Sequence, residues 1–140
     1  MTEDVSVLRL NLLRGLYLLN CLLVGAGVVT QFLQRPAPWD PLTGVAFSFW
    51  AALAGLSVLG VRYPLAMLPL IFMQLFYKSF WLIAVYLPLR AVGRSSDLAG
   101  GFALAIVLEV TVIPWAYVRA HYLRKPAERW RRSAPPPSAA

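Results

Sequence analysis

Charged residues are scarce in this sequence. Only 14% of its 140 residues are Asp, Glu, Lys or Arg, whereas an average soluble domain has about 25%. Hydrophobic residues make up 59% of the chain, and the mean hydropathy is +0.65. A composition this apolar and this poor in charge excludes an ordinary soluble domain and predicts an integral membrane protein.

Cysteine and histidine each occur once, as Cys21 and His121. A single cysteine excludes an intramolecular disulfide and a cysteine-based metal site within one chain. A single histidine excludes a pair of histidines that could ligate haem. The sequence also lacks a Gly-rich phosphate loop and a nucleophile elbow. We therefore predict no metal site, assign no cofactor and favour a protein that is not an enzyme.

Four apolar segments divide the chain, each near the roughly 20 residues that a membrane-spanning helix needs. Short links rich in proline, glycine and arginine separate them and end the helices. We predict an all-α bundle of four transmembrane helices over residues 1–132, because spans in lipid must satisfy their backbone hydrogen bonds internally. The predicted helices cover residues 8–33, 42–61, 65–89 and 98–118. A basic juxtamembrane segment at 119–132 and a disordered Pro-rich tail at 133–140 are predicted to follow.

The basic residues are distributed unequally between the two ends of this predicted bundle. Nine of the 13 Lys and Arg residues flank the side that carries both termini, and three flank the other side. The positive-inside rule therefore predicts that both termini are cytoplasmic. Six of the nine follow the last span among Trp and Tyr residues, a pattern that favours anionic lipid headgroups over nucleic acid. These predicted anchors are Arg119, Arg124, Lys125, Arg129, Arg131 and Arg132.

Lys78 and Glu109 each lie near the middle of a long apolar run. An ionisable side chain at that depth of a membrane is costly and is a candidate functional residue by default. Both residues are equally far along the chain from the link centred near Gly93 and Arg94. If the two segments form an antiparallel hairpin, both side chains reach the same depth. We therefore predict that they pair.

Other polar and aromatic residues are predicted to surround this pair. Gln74 lies one helical turn before Lys78 on the same face. Asn20 lies near the middle of the first segment, with Gly27 and Gln31 on about the same face. The predicted ligand or ion-pair site comprises Lys78, Glu109, Gln74, Asn20, Tyr77, Trp81 and Trp50.

Two prolines have specific predicted effects on the helices. Asp40 precedes Pro41, so we predict that Asp40 caps the second helix and that Pro41 takes its first position. Pro114 removes a backbone donor, which frees the carbonyl of Val110 as a ligand or hydrogen-bond acceptor.

The sequence leaves three functions open. The site around Lys78 and Glu109 could bind a small molecule or lipid, in a chain that is a subunit of a larger membrane complex. Alternatively, Glu109 could titrate beside Lys78 in a proton-coupled transporter or channel-like protein. The pair could also only fix helix packing in a structural or assembly subunit. The neighbouring Gln74, Tyr77 and Asn20 favour a polar cavity, and a bundle this small is compatible with a homo-oligomer or a larger complex.

Several short motifs lie at the ends and centres of the predicted helices. They are Trp39-Asp40-Pro41, Tyr63-Pro64, Met67-Leu68-Pro69, Tyr77-Lys78-Ser79-Phe80-Trp81, Pro114-Trp115-Ala116-Tyr117 and Glu128-Arg129-Trp130. In this pattern, up to about Arg132, the chain resembles a group of small, uncharacterised bacterial four-helix membrane proteins. In length and helix count it is also similar to DoxX-type membrane proteins, some of which are subunits of quinone-linked oxidoreductases. The resemblance and the short loops imply a bacterial inner-membrane location.

Overall fold

The computed structural model of this chain describes residues 5–34 and 38–124. All regular structure within these residues is helical, which confirms the all-α part of the predicted fold. The helices are α1 (Val7–Gln34), α2 (Pro41–Arg62), α3 (Leu68–Trp81), α4 (Leu87–Ala91), α5 (Leu98–Val112) and α6 (Trp115–Val118). Two π-helical turns, Leu82–Tyr86 and Arg119–Leu123, follow α3 and α6. The predicted tail at 133–140 and the predicted anchors Lys125, Arg129, Arg131 and Arg132 lie outside the described residues.

Three helical stretches are long and apolar enough to cross a membrane. They are α1, α2 and the stretch Leu68–Ala91, which runs from α3 through α4. A fourth is obtained when α5 and the bent segment Trp115–Leu123 are taken together as one span. The helix α5 alone extends only about 22 Å at 1.5 Å per residue, whereas the hydrocarbon core is about 30 Å thick. The described chain therefore has three membrane-spanning candidates, or four if the bent pair counts as one.

The fourth predicted segment, 98–118, is not one continuous helix. The helix α5 ends at Val112, and the chain bends by 71° before Trp115–Leu123. Ile113 has an extended ψ of 125°, because the ring of Pro114 disfavours helical backbone in the preceding residue. The sequence-based prediction allowed for the missing N–H of Pro114 but not for this restriction on its neighbour.

A π-helical turn interrupts the third predicted segment, 65–89, which is helical from Leu68 to Ala91. Within the turn Leu82–Tyr86, the backbone carbonyl of Leu82 accepts from the N–H of Leu87, five residues later. Pro88 follows directly, and in an α-helix its ring would crowd the carbonyl four residues earlier. The wider turn accommodates the proline while the helix continues.

The link between α4 and α5 reverses the chain at Gly93, whose φ is +75°. The N–H of Gly93 donates to the carbonyl of Arg90, and the N–H of Arg94 donates to the carbonyl of Leu89. These two hydrogen bonds form the motif that ends a helix at a glycine in the left-handed conformation. The helix α5 consequently packs antiparallel to α3: Phe102 contacts Trp81 near the link, and Glu109 contacts Lys78 further from it.

The apolar core occupies the half of the bundle that contains the N-terminal half of α1. Tyr17 lies at its centre, with its ring against Gly60 and its hydroxyl donating to the carbonyl of Pro64 at 3.1 Å. A Cβ on Gly60 would come within 2.3 Å of that ring, so only glycine fits there. The other core side chains are Leu13, Leu16, Leu53, Leu68, Leu70, Ile71 and Ile113. This half is tightly packed, whereas the opposite half contains a cavity.

Candidate functional site

Three of the predicted site residues meet between the packed half and the hollow half of the bundle. The ammonium group of Lys78 donates to a carboxylate oxygen of Glu109 and, at 3.0 Å, to the amide oxygen of Gln74. Gln74 and Glu109 are fully buried, and Lys78 is only 4% exposed. The α3–α5 hairpin brings Lys78 to Glu109, and the four-residue spacing along α3 brings it to Gln74.

This polar cluster has hydrogen-bonding capacity that its own members do not use. An ammonium group carries three N–H donors, and two of those on Lys78 are engaged. Within the described residues, the amide nitrogen of Gln74 and the second carboxylate oxygen of Glu109 are buried without a hydrogen-bond partner, as is the amide nitrogen of Asn20 on α1. Buried polar atoms are normally paired, so this cluster can accommodate a further polar group.

A cavity of about 530 Å³ lies beside Lys78, between α1, α2, α3 and the first turns of α5. Its volume falls within the range of about 300–1,000 Å³ that is typical of small-molecule sites. Among the described residues, Lys78 is the only charged one on the cavity wall. The other lining residues are Leu23, Val24, Gly27, Val28, Gln31, Thr43, Ala46, Phe47, Trp50, Tyr77, Leu98 and Phe102. The cavity is thus an apolar, partly aromatic space with one cation at its wall.

Aromatic contacts hold the rings of the cavity wall in place. Trp50 packs edge-on against Phe47 with ring centroids 5.3 Å apart. Tyr77 makes similar contacts with Phe49 at 5.5 Å and with Phe102 at 5.8 Å. Such edge-to-face pairs contribute about 0.5–1.5 kcal/mol each beyond their buried area. The predicted site residues Trp50 and Tyr77 therefore form fixed walls of the cavity.

Two of the predicted site residues, Trp81 and Asn20, are not among the residues that line the cavity. Trp81 does not line the cavity: its ring packs on Phe102 at 5.2 Å and on Tyr86 at 6.1 Å. Its place three residues after Lys78 put it on the predicted polar face, but these two rings hold it away from the cavity wall. Asn20 is buried on α1, and no hydrogen bond within the described residues joins it to Lys78 or Glu109.

The prediction of the site missed several lining residues. Gln31 and Gly27 were expected only to share the face of Asn20, yet both line the cavity. Gln31 is a polar residue inside an apolar segment, and this feature of the sequence could have indicated the α1 wall of the cavity. Thr43, Phe47 and Phe102 gave no such signal, because threonine and phenylalanine are common on any buried helix.

Both predicted proline effects are present in the structure. The side chain of Asp40 accepts a hydrogen bond from the Thr43 N–H at 2.9 Å at the start of α2. This bond holds the pKa of Asp40 below its usual value. The carbonyl of Val110 accepts from the indole N–H of Trp115 at 2.9 Å. The acceptor that Pro114 frees is therefore used to fix the bend between α5 and α6.

Comparison with protein families, characterised proteins and solved structures finds no match to this chain. Within residues 5–34 and 38–124, no three His, Cys, Asp or Glu side chains are grouped to hold a metal ion. Since a fold alone does not define an activity, the cavity and the polar cluster are the features of this chain that indicate its function.

Proposed function

We propose that this chain is an integral membrane protein of a bacterial inner membrane, with four spans and both termini in the cytoplasm. The charges of the described residues support this orientation, because arginine is concentrated at the cytoplasmic side of membrane proteins. The end that carries the start of α1 has Arg9, Arg14, Arg62, Arg119 and Arg124. The opposite end has Arg90 and Arg94 together with Asp40 and Asp97.

The function we propose for the cavity is non-enzymatic binding of a small molecule or lipid, in a chain that forms part of a larger membrane complex. The observation that carries this proposal is the position of Lys78, which lines an apolar cavity while one of its N–H donors has no hydrogen-bond partner within the described residues. The ligand has an apolar body that fits between rings such as Trp50 and Tyr77. It also has an oxygen that accepts a hydrogen bond from Lys78.

The charges of Lys78 and Glu109 limit which kind of oxygen the ligand can place beside Lys78. Glu109 already neutralises Lys78, so a carboxylate ligand would add an unbalanced buried charge, which is costly. A carbonyl, ether or hydroxyl oxygen carries no such penalty. We therefore propose a neutral acceptor group on the ligand.

A structural or assembly subunit is the second candidate function. Its supporting observation is the near-complete burial of Lys78 and Glu109, which tie α3 to α5. A proton-coupled transporter has less support, because Glu109 does not line the cavity.

Filling the cavity tests the proposal without touching the charged pair. Gly27 lines the cavity, and a Cβ on it would meet nothing within 4 Å. Gly27→Leu should therefore fold normally but exclude the ligand. Gly15→Leu is the matched control on the same helix, because Gly15 also has open space around it and lies outside the cavity.

The readout is native mass spectrometry of protein extracted gently from its own membrane. We expect a defined adduct on the wild type and on Gly15→Leu that is absent from Gly27→Leu. A Gly27→Leu chain that keeps every adduct of the wild type, or a wild-type chain that carries only loosely bound phospholipid, would contradict the proposal and favour the structural role.

A further inference from the structure

A smaller cleft lies at the opposite end of the bundle from the cavity. It has a volume of about 300 Å³ and lies between the first turns of α1 and the link from α2 to α3. Two arginines line it, Arg14 from α1 and Arg62 from the end of α2. Leu10, Leu65 and other apolar groups form the rest of its wall. The cleft therefore combines two cations with apolar surface.

The guanidinium groups of both arginines contact neutral side chains, which do not neutralise the positive charge of either arginine. Arg14 donates one hydrogen bond to the side-chain oxygen of Asn11 at 3.0 Å. Arg62 lies over the ring of Tyr63, with its guanidinium carbon 5.5 Å from the ring centre. Within the described residues, neither arginine forms a salt bridge, and no acidic side chain lines the cleft. A guanidinium has five donors, so most of them remain available to a ligand.

We propose that this cleft binds the phosphate group of an anionic phospholipid. Guanidinium groups recognise phosphate oxygens in a bidentate manner, and two arginines line this one small cleft. Basic pockets between helices on the cytoplasmic side of membrane proteins are suited to anionic headgroups. The inference rests on the proposed membrane orientation, but it does not depend on a ligand in the cavity beside Lys78.

The depth of the cleft favours a lipid over a free phosphate compound. Arg14 lies seven residues after Val7, the first residue of α1, which is about 10 Å along the helix axis. With the start of α1 at the membrane surface, Arg14 lies close to the boundary between headgroups and acyl chains, and long basic side chains reach headgroups from there. Leu18, one helical turn deeper than Arg14 on the same face of α1, is 49% exposed, so it is available to the acyl chains.

The experiment compares wild type with Arg14→Gln/Arg62→Gln and with Arg90→Gln/Arg94→Gln, which loses the same charge at the other end. Each purified protein is titrated in detergent with phosphatidylglycerol, phosphatidylcholine or glycerol 3-phosphate, and adducts are counted by native mass spectrometry. We expect wild type and Arg90→Gln/Arg94→Gln to take up phosphatidylglycerol preferentially. Arg14→Gln/Arg62→Gln should bind phosphatidylglycerol at least fivefold more weakly than wild type does.

Three results would overturn the inference. They are unchanged binding of phosphatidylglycerol by Arg14→Gln/Arg62→Gln, an equal loss in both double variants, and uptake of glycerol 3-phosphate without preference for the anionic lipid. Size-exclusion profiles check that each variant is folded, and these exposed arginines are not part of the apolar core. A failure here leaves the cavity proposal intact, because the Gly27→Leu comparison tests that proposal separately.

Discussion

Lys78 and Glu109 are 31 positions apart, with Gly93 and Arg94 at the midpoint, and their side chains meet across the α3–α5 hairpin. This contact lies between a packed apolar half, centred on Tyr17, and a half that contains the cavity. The pair therefore separates the part of the bundle that provides stability from the part that can hold a ligand.

Removing one partner of this pair should destabilise the protein more than removing both. Lys78→Met or Glu109→Leu alone leaves a buried charge without its partner, which typically costs about 3–5 kcal/mol. Lys78→Met/Glu109→Leu leaves no charge and should recover most of that loss. Denaturant unfolding in detergent micelles measures the three variants beside wild type. Equal stability of the single and double variants would show that the pair is not coupled.

Gly60→Ala should disrupt the packing of α1 against α2. The added methyl group would overlap the Tyr17 ring, whose hydroxyl is already fixed by Pro64. Overpacking of this kind costs about 1–3 kcal/mol, which the same unfolding measurement detects. Gly55→Ala is the control: nothing lies within 4 Å of its Cβ position, so it should be neutral or stabilising by up to about 1 kcal/mol. A neutral Gly60→Ala would contradict the described α1–α2 contact.

The cap on α2 should make stability depend on acid pH. The hydrogen bond from the Thr43 N–H lowers the pKa of Asp40 in the folded state. The stabilisation is therefore complete above the unfolded pKa of about 4 and is lost as the pH falls through the lower, folded value. Asp40→Asn keeps a capping oxygen but cannot titrate there. Melting curves across this acid range should show a smaller pH dependence for Asp40→Asn, and identical slopes would exclude the cap as its source.

The bend after α5 should depend on the hydrogen bond from Trp115 to Val110. Trp115→Phe removes that donor and should cost about 0.5–1.5 kcal/mol. Pro114→Ala restores a backbone N–H that can bond the Val110 carbonyl instead. In a double-mutant cycle, Trp115→Phe should therefore cost less on the Pro114→Ala background. Additive effects would show that the indole bond and the proline act independently.

The sequence was sufficient to predict those features that depend on local chemistry or on the simple spacing of residues about a turn. Hydropathy identified the apolar segments, the equal spacing of Lys78 and Glu109 from Gly93 predicted their contact, and Asp40 beside Pro41 predicted the cap. The bend at Ile113 was missed. Pro114 disfavours helical backbone at Ile113, whereas helix packing can hold such a residue in a helix, and the sequence does not show which of the two effects is stronger. The position of Trp81 was missed because helix periodicity gives a face but not the rings that a side chain packs against.

The cavity itself could not be predicted, since it depends on how four helices are spaced. On α1, Gln31 was the one polar lining residue that could indicate the cavity wall. Phe102 lines the cavity because the hairpin brings α5 beside Tyr77. Such contacts are set by tertiary packing rather than by residue type.

The most direct test of the central claim is ligand retention in Lys78→Met/Glu109→Leu. This variant removes the hydrogen-bond donor at the cavity wall and leaves no unpaired buried charge. Native mass spectrometry of the gently extracted protein should show a folded chain that has lost the adduct carried by wild type. The same adduct on the double variant would contradict a ligand site at Lys78 and would leave the pair with a structural role alone.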